Sequence, residues 1–365
     1  MQLPKLIDLG IEGKKVIVRA DLDLPFEASA KEGVKTSSEK LKAESNNLRL
    51  EVLVPTINYL LEKQAKIILI GHRGRPEKEK SLSLSLREIG EKLSELLGEE
   101  IKFVDQVVGE KVNEEIKKLR NEEIVILENL RFDPREEENS KEFAKILASY
   151  ADCYVNEAFA ASHREHASIV GLVKVISEKR KEKSCIAAGL RFAQEVENLG
   201  KVLENPKKPV VIIISGIKED KLSYLEAFTK VADKVLVAGR LPDIILSTNY
   251  QLPTTNIIVA NLLPDKEDIT IHSIEMFEKE IIKAGTVVVS GPIGKFEDEG
   301  HRQGTERVFK AIANSSAFKV AGGGDTIQAV NLLNLGSKFD WISVGGGAML
   351  EYLAKGTLPG IEVLV

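Results

Sequence analysis

The stretch from Ile124 to Ser168, IVILENLRFDPREEENSKEFAKILASYADCYVNEAFAASHREHAS, decides the fold. It opens on four apolar residues bounded by charge, the pattern of a buried strand. A second run at 152–155 reads the same way. Between them Phe143, Ile146, Leu147 and Tyr150 recur at helical spacing, so one face packs down. Asn139, three residues ahead of Glu142, is the expected helix start. Strand, helix, strand is a βαβ unit whose right-handed crossover makes the strands parallel. Ligands in such sheets bind beyond the carboxyl ends of the strands. Here those ends are LENLRF, with Arg131, and VNEAFAASHR, with His163 and Arg164. Guanidinium groups grip phosphate or carboxylate through paired hydrogen bonds, so the cluster points to an anionic ligand.

Working outward, a chain of 365 residues has the length of two ordinary domains. It is 43% hydrophobic and 29% charged, the composition of a soluble globular protein, and holds no apolar run long enough to span a bilayer. The N-terminus MQLPKLIDLG has no cleavable signal pattern, which predicts a cytoplasmic protein. Cys153 and Cys185 lack metal-ligand spacing and are expected as buried thiols rather than a disulfide. A net charge of −5 argues against a general nucleic-acid binder, so any basic site is local.

In the first half, apolar runs at 16–20 and 67–70 read as strands that end in DLDLPF and GHRGRP. The second ending leaves His72, Arg73 and Arg75 at a strand terminus, where Gly and Pro stop regular structure. Residues 27–47 are polar and poor in aromatics, the pattern of a mobile surface loop, and an amphipathic helix is expected over 49–63. A helix over 86–97, a strand over 101–104 and a helix over 109–119 complete the alternation, which predicts a parallel sheet with helices on both faces. Phe192, Val196, Leu199 and Leu203 then share one helical face ahead of Pro206, as in a single helix joining two domains. The expected division is 1–185, a joining helix within 186–205, and 206–365.

The second half repeats the logic. Strand-like runs at 210–214, 234–237, 287–289, 318–320 and 341–344 lead into SGIKEDK, AGR, SGPIGKFEDEG, AGGGDT and GGGAMLEYLAKG. Glycines there let backbone N–H groups approach an oxyanion, and a following helix N-terminus favours negative charge. GPIGKF is not a Walker A loop, because no Ser or Thr follows Lys295. No GxGxxG follows a strand of the first βαβ unit, so a dinucleotide site lacks its fingerprint.

NNLRLEVLVPTI, GHRGRP, LENLRF, VNEAFAASHREHAS, SGPIGKFE, GGGDT and GGGAMLE together, in this order, resemble the motifs of the phosphoglycerate kinase family over nearly the whole chain. The resemblance implies two doubly wound parallel-sheet α/β domains joined by a helix. It implies reversible phosphoryl transfer from 1,3-bisphosphoglycerate to Mg-ADP, giving 3-phosphoglycerate and Mg-ATP, in a cytoplasmic monomer that binds neither membrane nor nucleic acid. Carried over residue by residue, Asp21 and Asp23 would hold the glycerate hydroxyl and carboxylate region. His72, Arg75, Arg131 and Arg164 would hold the non-transferred phosphate, and Arg49 would steady the phosphoryl group in flight. Lys218 and Lys221 would reach the nucleotide phosphates, with Lys218 counted beside Arg49 as catalytic. Pro292, Gly322, Gly323, Gly324 and Thr326 would lie against the nucleotide, Glu297 would bond the ribose, and Asp325 would hold Mg²⁺.

The chain also departs from that pattern. Asp23 stands where the family has asparagine and sets negative charge beside an anionic substrate, with Arg73 as a candidate to compensate. SGIKEDK is one residue shorter between its lysines, a spacing that on a helix keeps both on one face. Arg240 falls near the expected nucleotide cavity, and the segment from Arg240 to Ile271 is short. Two rivals follow from these departures: a phosphoglycerate-binding regulatory protein with little or no turnover, and a kinase for another small carboxylate.

Overall fold

The computed structural model describes residues 2–24, 47–76, 81–180, 185–248, 250–253 and 256–365. The loop expected over 27–47 lies outside them except for its last residue. The described residues form two compact units, one running to residue 196 and including 358–365, the other made of 197–357.

The first unit is built on a six-stranded sheet of β1 (Lys15–Arg19), β2 (Lys66–Ile70), β3 (Ile101–Val104), β4 (Ile124–Leu127), β5 (Cys153–Asn156) and β6 (Ile186–Ala188). Their order is β3-β4-β2-β1-β5-β6, and every pairing is parallel. A parallel sheet is covered on both faces, so its strands are continuous apolar runs rather than alternating ones. All four residues of β4 are buried accordingly. The helix Lys141–Ser149 crosses from β4 to β5 and buries Phe143, Ala144, Leu147 and Ala148. Its cap is Ser140, whose hydroxyl accepts from the Phe143 N–H at 3.4 Å, and not Asn139. Asn139 sits at φ 52°, in a turn ahead of the helix, a conformation asparagine tolerates better than most residues.

The second unit carries β7 (Val210–Ile214), β8 (Lys234–Val237), β9 (Ile257–Val259), β10 (Thr286–Ser290), β11 (Phe318–Gly322) and β12 (Trp341–Ser343). The order is β12-β11-β10-β7-β8-β9, again all parallel. Val211, Ile213, Val287 and Val289 meet Phe277, Phe309 and Ile312 in its core.

Both sheets are doubly wound. The chain starts in the middle of each and reverses direction between β1 and β5, and between β7 and β10. Those two reversal points are where crevices open for ligands.

Four details differ from the sequence reading. Residues 186–188, read with the joining helix, are the edge strand β6, and the helix is Leu190–Leu203. Three residues ending at Gly189 are too few to show a strand's periodicity. The helix expected over 49–63 is two pieces, 47–51 and Val54–Glu62, because Pro55 lacks an N–H and starts a new helix at its first turn. The strand β9 carried no signal that was read. Within the span 206–365, the last residues return to the first unit, where the Gly360 N–H donates to the Ser162 carbonyl at 2.9 Å. Cys153 and Cys185 are buried thiols, with no disulfide between them.

Candidate active site

In the first unit the loops after β1, β2, β4 and β5 meet. Arg49, from the short helix 47–51, donates through Nη1 to the Asp23 carbonyl at 2.9 Å and to Asp21 Oδ1 at 3.3 Å. The other Asp21 oxygen, Oδ2, is buried without a protein partner, an acceptor open to a ligand hydroxyl. Burial pushes the Asp21 carboxyl above its ordinary range, and Arg49 opposes that shift. The Asp23 carboxylate accepts from the Gly74 N–H at 2.7 Å and lies 3.6 Å from His72 Nε2. Arg73 does not compensate it. Its guanidinium is buried and turned away, donating to the Leu24 and Ser85 carbonyls and to Glu88. The neighbours of Asp23 are instead His72, the Gly74 amide and the positive field of Arg131.

Arg131 follows β4 and is aimed by Asn129, whose Oδ1 accepts from the Arg131 and Arg73 N–H groups. One end donates to the Gly74 carbonyl at 2.7 Å, and Nε lies 3.0 Å from Glu137. Nη2 is buried with no hydrogen-bond partner in the protein. Burial, and the charge of nearby Arg164, lower its pKa to about 10, so it stays cationic at neutral pH yet is poorly compensated. Arg164 and His163 sit half-buried after β5, with Arg164 Nε 3.2 Å from His163 Nε2. Arg75 is exposed on the loop after β2. The fold thus gathers Asp21, Asp23, Arg49, His72 and Arg131, with the charge of Arg164 felt at both His72 and Arg131. It sets several positive groups beside the Asp21 and Asp23 carboxylates.

Four buried members of this cluster had not been singled out: Arg19, Glu136, Ser168 and His166. A lone arginine inside the apolar run KVIVRAD was the available signal for the first. Glu136 was hidden in REEEN, which reads as a solvated charge run.

In the second unit the site is made mostly of backbone. Ser215 and Gly291 stand side by side where the sheet reverses, and the Ser215 N–H donates to the Ser290 carbonyl at 2.8 Å. Gly291 has φ 104°, and a Cβ there would overlap the Ser215 carbonyl, so only glycine fits. The Ser215 hydroxyl donates to the Pro292 carbonyl, tying the two loops. Gly323, at φ 103°, opens the helix Gly324–Leu332, and the helix Gly346–Lys355 begins beside it. Two helix N-termini and several amide groups therefore face one region, an arrangement that favours phosphate. Gly322 closes β11 against the Met349 sulfur.

Thr326 is buried, and its hydroxyl accepts from the Gly291 N–H at 2.7 Å while donating to the Gly322 carbonyl at 2.8 Å. It braces the loops. Asp325 stands exposed in the first helical turn, and nothing crowds the open side of Gly324. Lys218 and Lys221 do not share a helical face. Lys218 is extended and exposed ahead of the 3₁₀ helix Glu219–Tyr224, whereas Lys221 turns inward and donates to the Ser215 carbonyl at 2.5 Å. Burial pulls the Lys221 pKa down to about 8, with Asp325 and Asp220 opposing. Glu297 is exposed beyond the Gly291 loop. Arg240, after β8, pairs with Glu267 at 3.3 Å and Asp243 at 3.7 Å. Between Arg240 and Ile271 the chain makes the helix Leu241–Ser247 and β9, joined to the next helix through a bridge between Leu262 and Ile269. Among the described residues, no cluster of three or more His, Cys, Asp or Glu could hold a metal ion by itself.

A family model described as phosphoglycerate kinase matches residues 6–261 and 243–356. A relative named phosphoglycerate kinase from Dictyoglomus turgidum is 34% identical over 407 positions, covering 98% of this chain and 97% of its own. Another of that name, from Finegoldia magna, is 32% identical over 413 positions, covering 100% and 99%. Both alignments are longer than this chain, so the relatives carry residues that it lacks. Among solved structures, phosphoglycerate kinase from Pyrococcus horikoshii superposes with a TM-score of 0.81 at 28% identity over 99% of this chain and 98% of that one. The enzyme from Coxiella burnetii gives 0.76 at 26% identity over 100% and 99%.

Proposed function

The chain belongs to the phosphoglycerate kinase family, and from that premise we propose that its first unit binds the glycerate substrate and its second the magnesium nucleotide. It is a phosphotransferase, moving a phosphoryl group reversibly between 1,3-bisphosphoglycerate and ADP to give 3-phosphoglycerate and ATP. The single observation that carries the assignment of sites is the convergence of Arg49, Asp21, His72 and Arg131 at the ends of β1, β2 and β4.

In this reading Asp21 Oδ2 takes the glycerate hydroxyl, and the Asp23 region faces the carboxylate. His72, Arg75, Arg131 and Arg164 hold the phosphate that is not transferred. Arg49 faces the transferred group, whose transition state spreads charge over its equatorial oxygens and needs positive charge and alignment more than covalent help. On the second unit Lys218, exposed ahead of its helix, reaches the transferring phosphate. Lys221, the Gly322–Gly324 loop, Pro292 and the amides near Gly291 cradle the other phosphates, with Thr326 bracing them. Glu297 bonds the ribose. Substrates held on separate units must be brought together for transfer, which also excludes water.

Magnesium enters with the nucleotide, supplying charge neutralisation at the phosphate oxygens. One carboxylate at an open helix start suits that ion, which keeps several waters and is commonly bound by one or two carboxylates plus phosphates. Asp325 provides it. The substrate-binding part is the first unit, which runs to residue 196 and includes the tail 358–365, and the nucleotide-binding part is the second unit, 197–357. The protein acts as a monomer in the cytoplasm, where the substrates of glycolysis are found. Among the described residues, no helix is long and apolar enough to cross a membrane.

The test is ATP- and Mg²⁺-dependent phosphorylation of 3-phosphoglycerate, followed through a coupled NADH-consuming dehydrogenase, for the wild type beside Lys218→Ala. Turnover in the wild type and its loss in the variant are expected. Binding of 3-phosphoglycerate in calorimetry without any turnover would contradict the reading.

A further inference from the structure

Arg19 and Glu136 have no role in the assignment above, yet both are fully buried beneath the first unit's strand ends. Arg19 closes β1. Its Nη1 donates to the Ala20 carbonyl at 2.6 Å, its Nε to Ser168 Oγ at 2.8 Å, and its Nη2 lies 2.9 Å from His72 Nδ1. Ser168 is held in turn by Glu136, with N–H to Oε2 at 2.9 Å and Oγ to Oε1 at 2.5 Å. The Tyr154 hydroxyl fixes the Ser168 carbonyl at 3.0 Å.

The direction of this chain is set by its two ends. A guanidinium has five N–H donors and no acceptor, and the Glu136 carboxyl, although burial raises its pKa, takes both hydrogen bonds that Ser168 offers it. The Ser168 hydroxyl must therefore give its one proton to Glu136 and accept from Arg19. His72 Nδ1 must likewise accept from Arg19, which leaves the ring proton on Nε2. That nitrogen is the one on the Asp23 side, where the substrate site opens.

We propose that Glu136, acting through Ser168 and Arg19, is a positioning residue that fixes His72 as the neutral Nε2–H tautomer, so the site offers the substrate a hydrogen-bond donor there. The inference rests on reading the first-unit cluster as the phosphoglycerate site. Burial and the charges of Arg19, Arg131 and Arg164 hold the His72 pKa well below its ordinary value, in keeping with a neutral ring. A histidine beside several arginines would ordinarily be free to choose which nitrogen it protonates. Here the choice is made by Arg19, which a buried carboxylate three hydrogen bonds from the ring holds in place.

The experiment is long-range ¹⁵N–¹H correlation NMR on the whole protein, whose five histidines are few enough to assign, His72 by comparison with His72→Gln. The wild type is expected to show a bare Nδ1 and a protonated Nε2 for His72, unchanged between about pH 5.5 and 8. Ser168→Ala should mix the tautomers and raise KM for 3-phosphoglycerate about fivefold, with kcat and the ATP KM within about twofold. Ser168→Thr, which keeps the hydroxyl, should restore both readings. Should Ser168→Ala fail to fold, Glu136→Gln is read in the same way, and the wild-type spectrum stands as a test on its own. A protonated Nδ1 in the wild type, or an unchanged His72 pattern in Ser168→Ala, overturns the proposal. A wild-type Nε2–H pattern that 3-phosphoglycerate fails to move overturns the placement of the substrate instead, and leaves the tautomer assignment standing.

Discussion

The two units meet the same demand, holding anions at the reversal point of a parallel sheet, with opposite materials. The first uses charged side chains held in place by other buried polar groups: Arg131 by Asn129 and Gly74, and His72 by Arg19. The second uses main-chain amides, helix starts and glycines that admit close approach, with Thr326 and Ser215 as braces. Side-chain charge can read a small ligand's shape, whereas amides and helix dipoles hold phosphate with little regard to what carries it. The contrast also sets how each half responds to mutation and to pH.

The largest expected effect is on chemistry. Arg49→Ala should cut kcat by about 10³-fold or more, the scale of a transition-state arginine, with little change in folding stability. Urea unfolding beside the coupled assay would show the split. An equal loss of stability would make Arg49 a structural partner of Asp21.

Next is the backbone site. Gly291→Ala must move either its own loop or that of Ser215, and should destabilise the second unit by on the order of 3 kcal/mol. In proteolysis-coupled unfolding, cleavage should increase in 197–357 and leave the first unit's sheet as it was. A first unit equally affected would erase the contrast drawn here.

A pH series sharpens it further. The Lys221 pKa, about 8 in the folded protein, lies below its ordinary value of 10.5. Between those values the unfolded chain binds more protons, so this group's contribution makes stability rise with pH from about 8 to about 10.5. Nucleotide phosphate needs the charged form, and its affinity should fall about tenfold from pH 7 to pH 9. Affinity for 3-phosphoglycerate should hold over that range, because Arg131 titrates only at about 10 and His72 stays neutral. Calorimetry with each ligand alone reads both, and parallel losses would contradict the assignment of Lys221.

The smallest effect is expected at Asp23. Asp23→Asn keeps an acceptor for the Gly74 amide and removes a half-exposed negative charge, so 3-phosphoglycerate should bind about three- to tenfold tighter. Weaker binding would mean that the carboxylate orders the arginines around it more than it repels the ligand.

The same contrast governs what the sequence made legible. Fully buried parallel strands such as IVIL and VVIII announce themselves as apolar runs, and the glycine-rich turns beyond them mark the strand ends. That was enough for both sheets, and for Arg131, His72 and Gly323. The short edge strands β6 and β9 are too brief for periodicity to speak. Arg73 and Arg75 flank one glycine in GHRGRP and look alike, yet one is buried in a structural bond set and the other exposed. Only the fold decides between them. Glu136 was invisible for a related reason: among neighbouring glutamates, nothing local says which one turns inward to Ser168. Lys221 shows the reverse error, a helical spacing that fails because Lys218 lies ahead of the helix in an extended conformation.

Hydrogen–deuterium exchange with 3-phosphoglycerate alone and with Mg-ATP alone tests the division of labour most directly. The account predicts that 3-phosphoglycerate slows exchange at residues 71–75, 129–131 and 162–166, and that Mg-ATP slows it at 215–221, 291–295 and 322–326. Protection of the second unit by 3-phosphoglycerate, or of the same segments by both ligands, would contradict it.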